Sequence, residues 1–103
     1  MFLTEEKALK RIAQDRERND LERARDRALD AYDRWPHNFD LAMEAIRACI
    51  DLSDNHKAVT LLKKAIVRHS KHRRMIEDYV TDAFRNSFNP FLGSFLIEIL
   101  MKR

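Results

Sequence analysis

Small and apolar residues recur in this chain every 34 positions. The pattern keeps its phase over three periods in five columns. The columns are Ala8, Ala42 and Ile76; Ile12, Ile46 and Val80; Ala24, Ala58 and Leu92; Ala28, Leu62 and Leu96; and Ala31, Ala65 and Ile99. A period of this length is typical of stacked helix-turn-helix units, each of which buries its apolar face against the next unit. The spacing therefore predicts a helical array, and it favours a binding scaffold over an enzyme.

The composition agrees with amphipathic helices. The 103 residues include one Gly and two Pro, and 36% are charged while 45% are hydrophobic. A chain of this length holds one domain. Because 20 basic residues nearly balance 17 acidic ones, the net charge of +3 is weak support for nucleic-acid binding. The single cysteine, Cys49, excludes an intramolecular disulfide and fits a reducing compartment.

No segment has the pattern of a signal peptide or a membrane span. The first seven residues lack an apolar run. Nowhere does the chain reach the roughly 20 apolar residues that cross a bilayer. We therefore expect a soluble, cytoplasmic protein.

Six helices are predicted from capping and breaking residues. In chain order they cover about residues 5–18, 21–34, 39–52, 55–69, 72–86 and 90–101. Thr4, Asp20 and Asn38 are suited to cap the first three helices, and Pro90 fits the first turn of the last. Connections this short predict antiparallel packing of consecutive helices.

The second helix of each unit carries the clearest motif. Its copies read Ala24-x3-Ala28-x2-Ala31-x4-Pro36, Ala58-x3-Leu62-x2-Ala65-x4-Ser70 and Leu92-x3-Leu96-x2-Ile99. These residues resemble the tetratricopeptide repeat family, whose second-helix pattern is A-x3-F-x2-A-x4-P. The first-helix half is weaker, because Ala42-x2-Ala45-Ile46-x2-Cys49 keeps small apolar residues but lacks the family's Trp and Gly.

The resemblance implies an all-α right-handed superhelix in one domain, 1–103. Three repeats would cover about 5–38, 39–70 and 71–103. A generic antiparallel helical bundle is the alternative. The first two helices are rich in charge, as in a capping unit, whereas the last is apolar on nearly all sides. We therefore expect the chain to be the N-terminal part of a longer array.

A concave groove is the binding site that the resemblance implies, because in this family the first helix of each repeat lines one. Carried over by phase, its residues on the third and fifth helices would be Met43, Arg47, Ile50, Arg74, Glu77, Thr81, Phe84 and Arg85. They form an apolar strip with basic flanks, which suits a partner peptide or helix with apolar anchors and acidic groups. An equal alternative is that Met43, Ile50 and Phe84 pack inside the superhelix.

The last predicted helix is a candidate self-association surface. Its apolar residues include Phe91, Leu92, Phe95, Leu96, Ile99 and Leu100. One flank is expected to pack on the fifth helix. Three occupants compete for the other flank: a further repeat, a second copy in a homodimer or helix exchange, and a membrane surface or partner helix.

No residue pattern predicts catalysis, a metal site or a cofactor. The four histidines lie at or beside turns, where we expect solvated side chains, and no thiol or carboxylate joins them at metal-ligand spacing. Cys49 lies on an apolar stripe and is expected to be inert. The only glycine is Gly93, which excludes a phosphate-cradling glycine loop.

The leading hypothesis is a non-catalytic protein–protein interaction scaffold. The alternative to it, besides self-assembly, is a helical nucleic-acid-binding module that uses the basic run 68–74. Its phosphate contacts would come from Arg68, Lys71, Arg73 and Arg74. Acidic residues follow directly and no aromatic residues interleave the run, so we rank a protein partner above nucleic acid.

Overall fold

Six α-helices make up the computed structural model, which describes residues 3–101. They are α1 (Glu5–Glu17), α2 (Leu21–Arg34), α3 (Phe39–Asp51), α4 (Asn55–Arg68), α5 (Arg73–Ser87) and α6 (Pro90–Met101). A 3-10 turn at Ser70–His72 precedes α5, and no strand occurs between residues 3 and 101. The all-α prediction is confirmed, and every predicted helix end lies within one residue of the observed end. Residues 1, 2, 102 and 103 of the predicted domain and its repeats lie outside the described residues.

Side-chain caps begin the first three helices. Thr4, Asp20 and Asn38 each accept a hydrogen bond from the backbone N–H three residues further on, at 3.0–3.2 Å. Each bond satisfies a donor that has no partner within its helix. The three predicted caps are therefore confirmed.

The core is built from the columns of small and apolar residues. Every residue of the five columns with 34-residue spacing is buried except Leu96, which is half-buried. Alanines occupy many of these positions, so neighbouring helix backbones approach closely, while Ile12, Ile46 and Leu62 fill the space between them. Along the first four helices each packs on the next, and α1 also contacts α3.

The last two helices pack on each other and on α4. The helix α4 contacts both α5 and α6. The helices α5 and α6 approach closely at Gly93, where an added Cβ would lie 2.9 Å from Cε2 of Phe84. Arg73 links the start of α5 to the end of α6, because its Nη2 donates to the carbonyl of Ile99 at 3.3 Å.

Three residues after helix ends adopt left-handed backbone conformations: Asn19 (φ 59°), Ser53 (φ 58°) and Phe88 (φ 52°). Asn19 and Ser53 lie 34 residues apart, so the turn within the first two helix pairs repeats with the sequence period. The third such residue, Phe88, comes one position later than this spacing. The helix α5 has 15 residues, two more than α1 and α3, and Phe88 follows its last residue directly. Asn tolerates this conformation, whereas a bulky residue such as Phe88 is strained in it.

Replacing Phe88 by glycine should therefore stabilise the fold relative to replacing it by alanine. Both variants lose the same ring, which is 77% exposed, but only glycine removes the clash of Cβ with the backbone. We expect Phe88→Gly to unfold with a free energy about 1 kcal/mol higher than that of Phe88→Ala, measured by urea titration. Equal stabilities would contradict a left-handed residue 88.

Candidate functional site

A cluster of charges joins α1 to α3. Arg16 on α1 donates from Nε to Oε2 of Glu44 at 3.2 Å and from Nη1 to Oδ2 of Asp51 at 3.1 Å. Glu44 and Asp51 are seven residues apart, which places both carboxylates on the same side of α3. The Arg16 side chain is largely buried, so these charge-assisted bonds hold the two helices in register.

Tyr79 brings α5 to the same cluster. Burial raises the pKa of Tyr79 to about 12, and the negative charge of Asp51 adds to the rise while Arg47 and Arg16 oppose it. The charges of Arg16 on α1 and of Arg47 and Asp51 on α3 therefore lie near this side chain of α5, and we consider the outer surface of the three helices together. We call this surface the α1/α3/α5 face.

The eight residues predicted to line a peptide groove lie on α3 and α5 in different environments. Arg47, Arg74 and Arg85 are exposed, and no ion pair within residues 3–101 involves them. Met43 and Ile50 are half-buried against the core. These five side chains therefore combine free charge with partly exposed apolar surface.

The other three predicted groove residues are engaged within α5 and α6. Glu77 is buried and accepts a hydrogen bond from Nε of Arg73 at 3.1 Å. Thr81 donates its hydroxyl to the carbonyl of Glu77 at 2.8 Å. Phe84 is half-buried against Gly93. The two hydrogen bonds join residues four apart within α5, whereas the contact of Phe84 depends on how α6 packs, which repeat phase alone did not reveal.

Acidic residues share the helix strips of the three free arginines, and they lie outside the eight residues predicted to line the groove. On α3 the strip reads Asp40, Glu44, Arg47 and Asp51, and on α5 it reads Arg74, Asp78, Asp82 and Arg85. Spacings of three and four residues place these side chains on one side of each helix, and that signal was available in the sequence. The α1/α3/α5 face therefore carries both signs of charge.

The predicted self-association residues of α6 divide between core and surface. Leu92, Phe95 and Ile99 are buried within the chain, whereas Phe91 and Leu100 are exposed and Leu96 is half-buried. The exposed apolar surface of α6 also includes Ile97 and Met101, which lay outside the predicted set. No helix in the described part of the chain, α6 included, combines the length and apolarity that crossing a bilayer requires.

The basic run 68–74 does not present four equivalent cations. Arg68, Lys71 and Arg74 are exposed. Arg73 instead pairs with Glu77 and donates to the carbonyl of Ile99. A phosphate-binding surface here would therefore rest on three side chains at most.

The histidine at the end of α4 is enclosed, contrary to the expectation that all four histidines are solvated. His69 is 7% exposed, and its Nε2 lies 3.5 Å from the hydroxyl oxygen of Tyr32. The Phe39 ring packs edge-on against His69 at 5.6 Å and stacks on His72 at 4.2 Å. These ring contacts join the first residue of α3 to the connection between α4 and α5, which sequence spacing did not indicate.

Burial lowers the pKa of His69, and the positive charges of Arg68 and His72 lower it further. A hydrogen bond with the backbone of Pro36 opposes the shift. The imidazole therefore stays neutral in the fold at pH values where an exposed histidine begins to bind a proton.

The thiol of Cys49 is buried and free. Burial raises its pKa to about 11, and the charge of Asp54 adds to the rise. Because the thiolate is the nucleophilic and metal-binding form, this protonated thiol suits a structural role. Within residues 3–101 there is no group of three or more His, Cys, Asp or Glu side chains placed to hold a metal ion.

Comparison of the chain with protein-family profiles, curated protein sequences and solved structures gives no match.

Lowering the pH should destabilise the fold through His69. Its folded pKa is below the unfolded value of about 6.5, so the unfolded chain binds the proton first. Above the unfolded pKa, the contribution of His69 to the free energy of unfolding is constant. Below it, this free energy falls as the pH drops towards the folded pKa. We expect the stability loss between pH 7.5 and pH 5.5, measured by urea unfolding, to be smaller in His69→Gln than in the parent chain.

The exposed His56 provides the matched control. His56→Gln should keep the pH dependence of the parent chain. An unchanged dependence in His69→Gln would contradict the enclosed, neutral imidazole.

Proposed function

We propose that this chain is a non-catalytic protein–protein interaction scaffold of three tetratricopeptide-like helix pairs, which binds a partner peptide or helix along the α1/α3/α5 face. Two features support the repeat interpretation. The columns with 34-residue spacing supply the core, and the left-handed residues Asn19 and Ser53 keep the same spacing. The proposed binding surface lies outside these columns, on side chains that the core does not use.

The observation that carries the proposal is the state of Arg47, Arg74 and Arg85. All three are exposed and free of ion pairs within residues 3–101, and Arg47 lies on the same side of α3 as the half-buried Met43 and Ile50. Free cations next to apolar surface suit a partner that supplies acidic groups and apolar anchors. Asp78 and Asp82 on the α5 strip are also exposed, so the partner is expected to carry basic groups as well as acidic ones.

The shifted pKa values agree with structural roles for three side chains. Burial is the main cause for Cys49, His69 and Tyr79, and in each case it favours the neutral form. The free thiol of Cys49 also supports a reducing compartment, and we place the scaffold in the cytoplasm.

Reversing charges on this face should weaken peptide binding. The probes are peptides selected from a random display library on the immobilised chain, with affinities measured by fluorescence anisotropy. We expect Arg47→Glu with Arg85→Glu to lower their affinity about tenfold, because two complementary contacts become repulsive. Asp78→Lys with Asp82→Lys should also lower it, since the partner is of mixed charge.

The matched control is Lys10→Glu with Arg11→Glu, which changes the net charge by the same amount at exposed positions of α1 that are turned by more than about 100° from Arg16 around the helix. That variant should bind the selected peptides like the parent chain. Peptides that bind the parent chain and both face variants with equal affinity would remove the α1/α3/α5 face from the proposal.

Self-association is a second candidate function, favoured by the exposed apolar side chains of α6. Phe91, Ile97, Leu100 and Met101 are all more exposed than buried. Apolar side chains grouped on one helix are typical of an interface. A second copy would cover them in a two-fold dimer.

Charged substitutions on α6 should then abolish the dimer. Light scattering behind a sizing column is expected to give a mass that rises with concentration for the parent chain and stays monomeric for Ile97→Glu with Leu100→Glu. A parent chain that stays monomeric over a hundredfold concentration range would exclude this second function.

A further inference from the structure

A groove lies between α2 and α4, on helices other than those of the α1/α3/α5 face. It is an open groove of about 800 Å³. Its lining on α4 extends from His56 to Arg68, which corresponds to roughly 18 Å along the helix axis. A long, open shape of this kind suits a linear segment better than a compact small molecule.

The floor of the groove is apolar and its two rims are charged. Leu29 and Tyr32 on α2 and Leu61 on α4 line the floor, and Tyr32 and Leu61 are buried. The guanidinium of Arg68 lies 5.9 Å from the centre of the Tyr32 ring, which places a cation over the floor. An apolar floor below charged rims is complementary to an amphipathic segment.

The α4 rim is basic along its whole length. Lys57, Lys64 and Arg68 are exposed and are spaced by seven and four residues, which places them on one strip beside Leu61. The helix α4 contains no Asp or Glu. The partner must therefore present acidic groups to this side of the groove.

The α2 rim is acidic. Asp30 and Asp33 are exposed and line the groove opposite the cations of α4. No ion pair within residues 3–101 joins the two rims, so their charges are not satisfied across the gap. Asp30 and Lys64 are 34 residues apart, so equivalent positions of two successive units carry opposite charges.

We infer that this groove, which we call the α2/α4 groove, binds an amphipathic helix of a partner protein. The partner helix lays an apolar stripe on Leu29, Tyr32 and Leu61. Its acidic flank faces Lys57, Lys64 and Arg68, and its basic flank faces Asp30 and Asp33. This surface is independent of the α1/α3/α5 face, so the two sites are tested separately.

The test uses designed helical peptides of one composition. The first peptide has a leucine stripe with glutamates along one flank and lysines along the other, and the second has the same residues with the charges mixed on both flanks. We expect the first peptide to bind the parent chain about tenfold more tightly in fluorescence anisotropy, because only its flanks match both rims. Equal affinities would overturn the inference.

Reversing the charges of either rim should change which peptide the protein binds most tightly. With Lys64→Glu and Arg68→Glu the α4 rim becomes acidic except at Lys57, so a peptide with lysines on both flanks should gain affinity while the first peptide loses it. With Asp30→Lys and Asp33→Lys a peptide with glutamates on both flanks should gain instead. All four residues are exposed, so both variants are expected to fold, and circular dichroism checks that they do.

The variant Lys10→Glu with Arg11→Glu provides the control for net charge and should keep the preference of the parent chain. The variant Arg47→Glu with Arg85→Glu should also keep it, which separates this inference from binding at the α1/α3/α5 face. Peptide affinities that are the same for the parent chain and for both rim variants would overturn the inference. So would salt-sensitive RNA binding that Lys64→Glu with Arg68→Glu abolishes, if the parent chain binds none of the peptides.

Discussion

Close contact between helices at small side chains is the interaction on which the rest of this structure depends. Ala24, Ala31, Ala58 and Ala65 are buried at the positions where the second helices meet their neighbours. A methyl group at these sites lets the backbones approach, and larger residues such as Leu62 then fill the remaining space. Since the core consists mainly of these repeating positions, the other sides of each helix are free to carry charge.

The separation between buried repeating positions and the other sides of each helix explains where the charges lie. Arg16 holds α1 to α3 through two carboxylates, while Arg47, Arg74 and Arg85 stay exposed. The second helices differ more between units, because α2 presents acids to the groove between them and α4 presents only bases. The same buried columns therefore leave helix surfaces of different character, which agrees with the interaction scaffold that we propose.

The sequence predicted the helices and their core well, because both follow from local signals. Caps such as Thr4 and Asn38 and the repeating apolar columns are visible without knowledge of the fold. The sequence did not predict the surroundings of side chains that pack against distant segments of the chain. His69 was expected in solvent, but Phe39, 30 residues away in the chain, covers it. The contact of Phe84 with Gly93 of α6 was not predicted either.

In the third helix pair, too, the sequence predicted the core but not the packing around it. Its columns keep the repeat phase, yet α5 is two residues longer than α1 and α3, and Phe88 takes the left-handed position one residue late. The changed turn and the contact of Phe84 with Gly93 fix how α6 lies on α5. Repeat phase therefore predicted which residues are buried, but not which groove residues remain free.

The most direct test of the central claim, that partners bind on helix surfaces outside the repeating core, is an amide chemical-shift map. A peptide selected on the parent chain is titrated into the isotope-labelled protein. Shift changes grouped around Arg47, Tyr79 and Arg85, with Ile46 and Leu62 unaffected, are the predicted result. Changes confined to α6, or spread through the core, would contradict the account.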